Sequence, residues 1–280
     1  MGIIFGVVNQ KGGVGKTTTA INLSASLALE GMRILLIDCD PQANTTGGLG
    51  FPRDDERASI YDVLLGEVPA AAAILPTEIE TLKLLPGSKN LTGANIELAQ
   101  AERRAMRLKE ALTPIRPDYD YILLDCPPAL DLLTLNSLVA SDRLIVPIQA
   151  EYFALEGISE LISNLERVRE AFNPELNIEG VLLTMYDDRT TLAQQVTANL
   201  REFFRDKLFN TVIPRNIRLA EAPSHGKPVA LYDPRSKGAE SYFNLAVELL
   251  ERHGVVSPRE IERKAQNNNS ETKIRFWPYV

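Results

Sequence analysis

Apolar residues along the chain gather in short continuous runs of strand length, at Ile3 to Val8, Ile34 to Ile37, Leu82 to Leu85, Tyr121 to Leu124, Leu144 to Ile148, Val181 to Thr184 and Thr211 to Ile213. Helix-length amphipathic segments lie between most of them: Thr17 to Glu30, Asn95 to Leu112, Glu156 to Phe172, Leu192 to Phe204 and Gly238 to Arg252. Runs without alternation belong to strands covered on both faces, and the intervening helices supply the cover. The pattern predicts an α/β fold, a doubly wound and mostly parallel sheet with helices on both faces. Gly31 ends the first helix, and Pro114 with Pro117 stops the one running to Leu112. Residues 1–254 read as one domain. From 255 the chain turns polar and Asn-rich, too poor in apolar surface to order alone, and 255–280 reads as a flexible tail.

Composition narrows the classes. With 45% apolar and 24% charged residues the chain is an ordinary globular one, and its formal charge of −7 rules out a whole-molecule positive field for nucleic acid or anionic membrane. Two cysteines and two histidines are too few for a disulfide framework, a thiolate cage or a zinc site. No run approaches the ~20 apolar residues of a membrane span, and the start lacks a basic region with a cleavage site, so a cytoplasmic protein is expected.

The first strand runs into Asn9-Gln10-Lys11-Gly12-Gly13-Val14-Gly15-Lys16-Thr17-Thr18 and then a helical pattern. Such a loop turns consecutive backbone N–H groups around an anion at a helix N-terminus. Lys16 is placed to neutralise β/γ-phosphate oxygens, and the Thr17 hydroxyl to ligate Mg²⁺. Two acidic clusters end later strands: Asp38-Cys39-Asp40 after Ile37, and Asp125 after Leu124. Ligand crevices of open parallel sheets lie outside strand C-termini, so these carboxylates should face the same phosphates. Asp125 suits the Walker-B role of holding Mg²⁺, and Asp40 is a candidate to position or deprotonate the attacking water. Asp38 alternates inward and is assigned to supporting Mg²⁺ or loop geometry rather than chemistry; Cys39 and Cys126 are expected to pack as small apolar side chains.

Lys11 at the head of the loop resembles the deviant Walker A motif, K-G-G-x-G-K-[ST], of the P-loop NTPases that include ParA/Soj, MinD-type and nitrogenase iron proteins. With NQKGGVGKTTT, LLIDCDPQANTTGGL, YILLDCPP, LLTLNSL, DRLIVPIQ, YDDRTTL and IPRNIRLAEAPSHGKP in order, residues 3 to about 250 resemble the short ParA/Soj partition ATPases. The resemblance implies ATP/ADP and Mg²⁺ as ligands. It makes Lys11, Lys16 and Asp40 catalytic, with Lys11 crossing to a partner subunit's nucleotide; an exposed Lys11 touching its own phosphates or solvent is the alternative. It gives Lys11, Gly12, Gly13, Val14, Gly15, Lys16, Thr17, Thr18, Pro214, Arg215 and Asn216 to the nucleotide, Thr17, Asp40 and Asp125 to the metal, and Gly12 to a dimer face. Ala43 departs from a usual glycine and Asp131 from a usual small or neutral residue. With the first strand at residue 3, the helix-turn-helix that longer members carry in front, and sequence-specific operator binding with it, are not expected.

From Met185 to Glu240 nine Lys/Arg face seven Asp/Glu. By resemblance, Arg189, Arg218 and Lys227 belong to a DNA-binding surface that becomes continuous across an ATP-dependent homodimer, contacting non-specific double-stranded DNA through phosphates. A ParB/Spo0J-like centromere-binding partner is the expected activator, and a nucleoid location follows. Three rivals stand beside this DNA-segregation reading. A ParA-like ATPase positioning another cargo shares the same chemistry. A MinD-like membrane ATPase needs an amphipathic C-terminal helix, for which Lys273 to Pro278 is short and proline-broken, so no stable membrane association is expected. A redox enzyme needs paired thiolates at a dimer-bridging cluster.

Overall fold

The computed structural model describes residues 2–261, apart from 53, 55, 152, 153 and 188. Seven strands form one sheet: β1 (Ile3–Val7), β2 (Ile34–Asp38), β3 (Leu75–Pro76), β4 (Leu82–Leu85), β5 (Tyr121–Asp125), β6 (Arg143–Gln149) and β7 (Asn177–Thr184), in the order β3-β4-β2-β5-β1-β6-β7. Every neighbouring pair is parallel except the β3–β4 edge. The doubly wound sheet expected from the apolar runs is therefore present.

Adjacent strand residues point to opposite faces, and both faces are dry: Leu35 and Leu36 are each 0% exposed yet belong to different core clusters. One face is covered by α1 (Lys16–Leu29), α9 (Ile217–Glu221), α10 (Val229–Tyr232) and α11 (Lys237–Arg252). The other lies under α3 (Ile60–Leu65), α4 (Leu91–Glu97), α5 (Arg107–Leu112), α6 (Leu132–Ala140), α7 (Ala154–Ala171) and α8 (Thr191–Phe204). A short α2 (Asn44–Gly48) follows β2. Register sets Asp38 directly opposite Asp125, with Val7 of β1 on the far side of Asp125.

Three expectations need correction. Thr211 to Ile213 does not form a strand: Glu248 captures the Thr211 amide at 2.8 Å, and Pro214 has no N–H with which to continue pairing. Of the three, Ile213 bonds across, its N–H to Leu183 O at 2.8 Å and its O accepting the Tyr186 N–H at 3.0 Å, which leaves an isolated bridge between Tyr186 and Pro214. The seventh strand is instead β3, whose Pro76 is tolerated because it stands at the sheet edge. Second, the helix expected over Asn95 to Leu112 is two helices, α4 and α5, separated by an extended Ala101 and by Arg103 at φ 53°.

Third, the chain beyond 254 does not leave the domain at once. Val255 N–H bonds Leu250 O at 2.9 Å, Ser257 is 2% exposed and donates its hydroxyl to Glu30 Oε2 at 2.5 Å, and Arg259 donates to Leu29 O at 3.1 Å. Arg259 thereby satisfies open carbonyls at the α1 C-terminus, its N–H also reaching Glu30 O at 3.4 Å, while Ser257 holds the Glu30 carboxylate. Gly31, at φ +90°, passes beside Pro258 there. The remainder of the expected tail, with Lys273 to Pro278, lies outside the described residues.

Candidate functional site

The loop between β1 and α1 is clamped at both ends. Asn9 donates to Pro147 O at 2.8 Å and accepts the Lys11 N–H at 2.9 Å, while Val14 is turned inward and its carbonyl accepts the Thr184 hydroxyl at 2.8 Å. Gly13 and Gly15 sit at φ 75° and 86°, where a Cβ costs about 1–2 kcal/mol. Gly12 differs: a Cβ there would meet nothing within 4 Å, so no contact inside the chain requires glycine. No side chain caps α1, so its first N–H groups face the loop without a side-chain acceptor.

Both loop lysines are engaged within the chain. Lys16, 7% exposed, donates from Nζ to Lys11 O at 3.1 Å. Burial lowers its pKa, opposed by the charge of Asp125. Lys11 stands at the rim, its Nζ 2.6 Å from Glu151 Oε2, with both side chains about half exposed. Water competes for such a pair, so it is worth at most about 1 kcal/mol and is readily exchanged.

The acids divide the work. Asp125 is 0% exposed; its Oδ2 accepts the Thr45 hydroxyl at 2.7 Å, and its Oδ1 has no hydrogen-bond partner among the described residues. Burial, then the nearby charge of Asp38, pushes the carboxyl up to about 7, although hydroxyl bonds from Thr45 and Thr17 pull the other way. An unpartnered buried carboxylate oxygen beside the Thr17 hydroxyl is an oxygen donor set suited to a hard divalent cation. Asp38 is held by the segment after β2: Oδ2 accepts the Thr46 N–H and hydroxyl at 2.8 and 2.7 Å, and the Thr46 hydroxyl in turn accepts the Gly87 N–H. Burial raises its pKa to about 6. Asp40 lines the cavity, with Oδ1 accepting the Gln42 N–H at 2.9 Å. Cys39 and Cys126 are buried, and burial pushes both thiols up, Cys126 to about 12.

These groups surround a cavity of about 550 Å³. Gly12, Gly13, Gly15, Lys16, Thr17, Thr18 and Asp40 line one part, and Pro214, Arg215 and Asn216 another. Thr184 and Tyr242 also line it, Tyr242 sharing a hydroxyl hydrogen bond with Thr19 at 3.1 Å. Lys11, Val14 and Asp125 do not line it: the Lys11 ammonium is held by Glu151, Val14 is buried, and Asp125 is buried with Thr45 on its Oδ2. The basic candidates are outside the cavity, and each holds an acid: Arg189 with Asp187 at 2.5 Å, Arg218 with Glu221 at 2.8 Å and Asp233 at 3.2 Å, Lys227 with Glu78 at 3.3 Å. Residue-type reasoning passed over Asn9, Thr45, Thr46, Thr184 and Glu151, which fix the loop and the acids. Thr45 and Thr46 were signalled only by lying inside the LIDCDPQANTTGGL segment.

Residues 2–178 match a family described as AAA domain. The chain is 52% identical over 249 residues to the sporulation initiation inhibitor protein Soj of Bacillus subtilis, covering 89% of this chain and 98% of that protein. The chain belongs to the ParA/Soj family of partitioning ATPases. It is also 49% identical to the chromosome partitioning protein ParA of Myxococcus xanthus, over 92% of both. Among solved structures, cobyrinic acid a,c-diamide synthase from Mycobacterium smegmatis, with bound ATP analogue and magnesium, matches at a TM-score of 0.78 and 37% identity, covering 89% of this chain and 94% of that one.

Within this ParA/Soj chain the two departures have physical counterparts. Ala43 caps α2 at φ 50°, the left-handed region that favours glycine. Asp131 caps α6, accepting the Leu133 and Thr134 N–H groups at 3.1 Å, and its other oxygen accepts from Asn95 at 2.8 Å.

Proposed function

We propose that this chain binds ATP with Mg²⁺, pairs face to face with a second copy, and in that state holds non-specific double-stranded DNA until partner-stimulated hydrolysis releases it. The observation that carries the reading is the convergence of Lys16, Thr17 and Asp40 on a cavity also lined by Pro214, Arg215 and Asn216, with Asp125 buried next to Thr17 and Lys16. Phosphate oxygens would replace Lys11 O as the acceptor of Lys16 and would take the uncapped α1 N–H groups. Pro214, Arg215 and Asn216 would hold the base. Thr17 and Asp125, with Asp40 nearby, would hold Mg²⁺, which when bound offsets phosphate charge; the orphaned Asp125 oxygen fits that duty. Asp40, on the cavity wall, would orient the attacking water.

Dimerisation draws support from the rim. Lys11 is tied only by a weak exposed pair and Gly12 has open space around it, so the first is free to reach a facing nucleotide and the second leaves room for it. Arg189, Arg218 and Lys227 would exchange carboxylate partners for DNA phosphates, which makes binding steeply salt-dependent. A ParB/Spo0J-like protein is the partner that fits this role, with chromosome or plasmid as cargo, and the nucleoid as location. Buried thiols at Cys39 and Cys126 disfavour a thiolate cluster shared between subunits. No helix among the described residues is long and apolar enough to cross a membrane.

The test is retention on random-sequence duplex at one moderate salt concentration with ATP, ADP or no nucleotide. Retention with ATP alone is the expected result, and Arg218→Glu should abolish it while leaving ATP-dependent dimerisation intact. Equal retention in all three states would detach DNA from the nucleotide, and ATP-dependent flotation with anionic vesicles in place of DNA retention would favour the membrane reading.

A further inference from the structure

On the face of the sheet away from α1, a second cleft of about 510 Å³ opens between the C-terminal end of α3 and α5. Its size falls within the roughly 300–1,000 Å³ typical of small-molecule sites. The walls are apolar, from Val63, Val68, Ala111 and Ile115. One cation lines it: Arg107, whose Nε is completely buried and has no hydrogen-bond partner among the described residues. No ion pair to Arg107 is formed by any described residue either, whereas Arg33, Arg103, Arg116, Arg143, Arg218 and Arg252 each hold a carboxylate.

A guanidinium without an acceptor leaves donors unmet; its Nε is closed to solvent, so a ligand in the cleft would meet the Nη edge of this partly exposed side chain. Two acids share the cleft. Glu110 is neutralised by Arg103 at 2.8 Å, and Glu67 is exposed, where solvent screens it. The remaining unmatched charge is positive. The fork of a guanidinium edge matches the two oxygens of a carboxylate, and the apolar walls match an aliphatic body.

We infer that the α3–α5 cleft is a binding site for a small monocarboxylate with an apolar chain, its carboxylate held by Arg107. The cleft is separate from the phosphate-binding cavity and shares no lining residue with it. Its walls nevertheless connect to the acids. The α3 N-cap Ser59 bonds Ser88 at 3.3 Å, next to Gly87, whose amide holds Thr46 on Asp38. On the other side the Leu108 amide of α5 is held by Asn136 of α6.

The probe is sodium octanoate, titrated calorimetrically into the full chain without nucleotide, so that the outcome is independent of the partitioning reading. Octan-1-ol serves as the uncharged control. Saturable one-site binding of octanoate is expected, at least about tenfold tighter than octan-1-ol, because hydrogen bonds to charged groups are the stronger class. Arg107→Gln should weaken it by about tenfold or more. Ala71→Phe, at the exposed rim, should block the cleft with Arg107 intact, and it keeps the test decisive should the arginine variant fold poorly. Octanoate affinity unchanged in either folded variant, equal affinity for the alcohol, or no saturable binding by the natural sequence would each overturn the assignment.

Discussion

Replacing Asp125 by Asn tests the acid pair directly. Burial holds the folded carboxyl at about 7, against an ordinary value of 3.8. Because the folded value is the higher one, the stability gained from protonation is fully present below the unfolded value and is lost as pH rises through about 7. From pH 5 to pH 7 the folded protein keeps a proton that the unfolded chain has released, and each unit is worth about 1.4 kcal/mol. The natural protein should therefore lose about 2–3 kcal/mol from this group between pH 5 and pH 8. Asn cannot ionise and should not show that loss.

The isostere keeps the Thr45 bond, since an amide oxygen accepts as a carboxylate oxygen does, and its new NH₂ group takes the place of the unpartnered Oδ1. Whatever that exchange costs is the same at both pH values; Asp38 titrates in both proteins, and losing the Asp125 charge beside it eases Asp38 ionisation in the variant, a change of the same sign. Urea unfolding without nucleotide or divalent cation, at pH 5 and pH 8, isolates the charge. The variant's stability relative to the natural protein should rise by about 2–3 kcal/mol across that interval. A relative change below about 0.5 kcal/mol, a few tenths of a pKa unit, would show that Asp125 is ionised at low cost and would refute the desolvation account.

The other predictions follow from single contacts. Lys16→Ala should abolish nucleotide binding measured by a fluorescent ATP analogue, whereas Lys11→Ala should retain part of it and lose ATP-dependent dimerisation on a sizing column; a Lys11 variant that still dimerises removes the crossing role. Asp40→Ala should accumulate an ATP-bound dimer with turnover reduced at least about tenfold, while normal turnover would move water activation elsewhere. Glu151→Gln, which frees Lys11 from its rim partner, should leave stability within about 1 kcal/mol, and a larger loss on denaturation would show the pair to be structural. Ala43→Gly relieves a left-handed alanine and should raise the melting temperature by about 2 °C or more, as about 1 kcal/mol does in a chain of this size; an unchanged or lower value would remove the strain argument.

Much of the fold was legible because buried parallel strands write themselves as continuous apolar runs, and six of the seven runs are strands here. The failures have local causes. Thr211 to Ile213 has strand composition, but Glu248 reaches in from α11 to take its amide, a contact nearly forty residues away along the chain that no window reports. Leu75–Pro76 is too short and too proline-marked to register as a strand, and pairs only because β4 offers an edge. Tail composition was read correctly as polar, yet polarity did not prevent Ser257 and Arg259 from docking, because the α1 C-terminus offers carbonyls and a buried Glu30 that polar groups alone can satisfy.

At the site, the sequence marks groups that would touch a ligand and hides the groups that hold them. Gly-rich loop and strand-end acids are visible because their chemistry is demanded by phosphate and metal. Thr45, Thr46 and Thr184 are ordinary residues until folding brings Thr45 beneath Asp125 and Thr184 under Val14. The paired basic residues carry the same lesson outward. Arg218 looks like a free cation in the sequence, but Glu221 is one helical turn away and Asp233 approaches from the far end of α10, so it starts from two carboxylates and not from water. On the proposed reading a DNA phosphate would have to displace them, which would lower affinity per contact and make the number of contacts decisive. Doubling that number by pairing two copies is then a physically sufficient way for a protein of net charge −7 to hold DNA in one nucleotide state and release it in another.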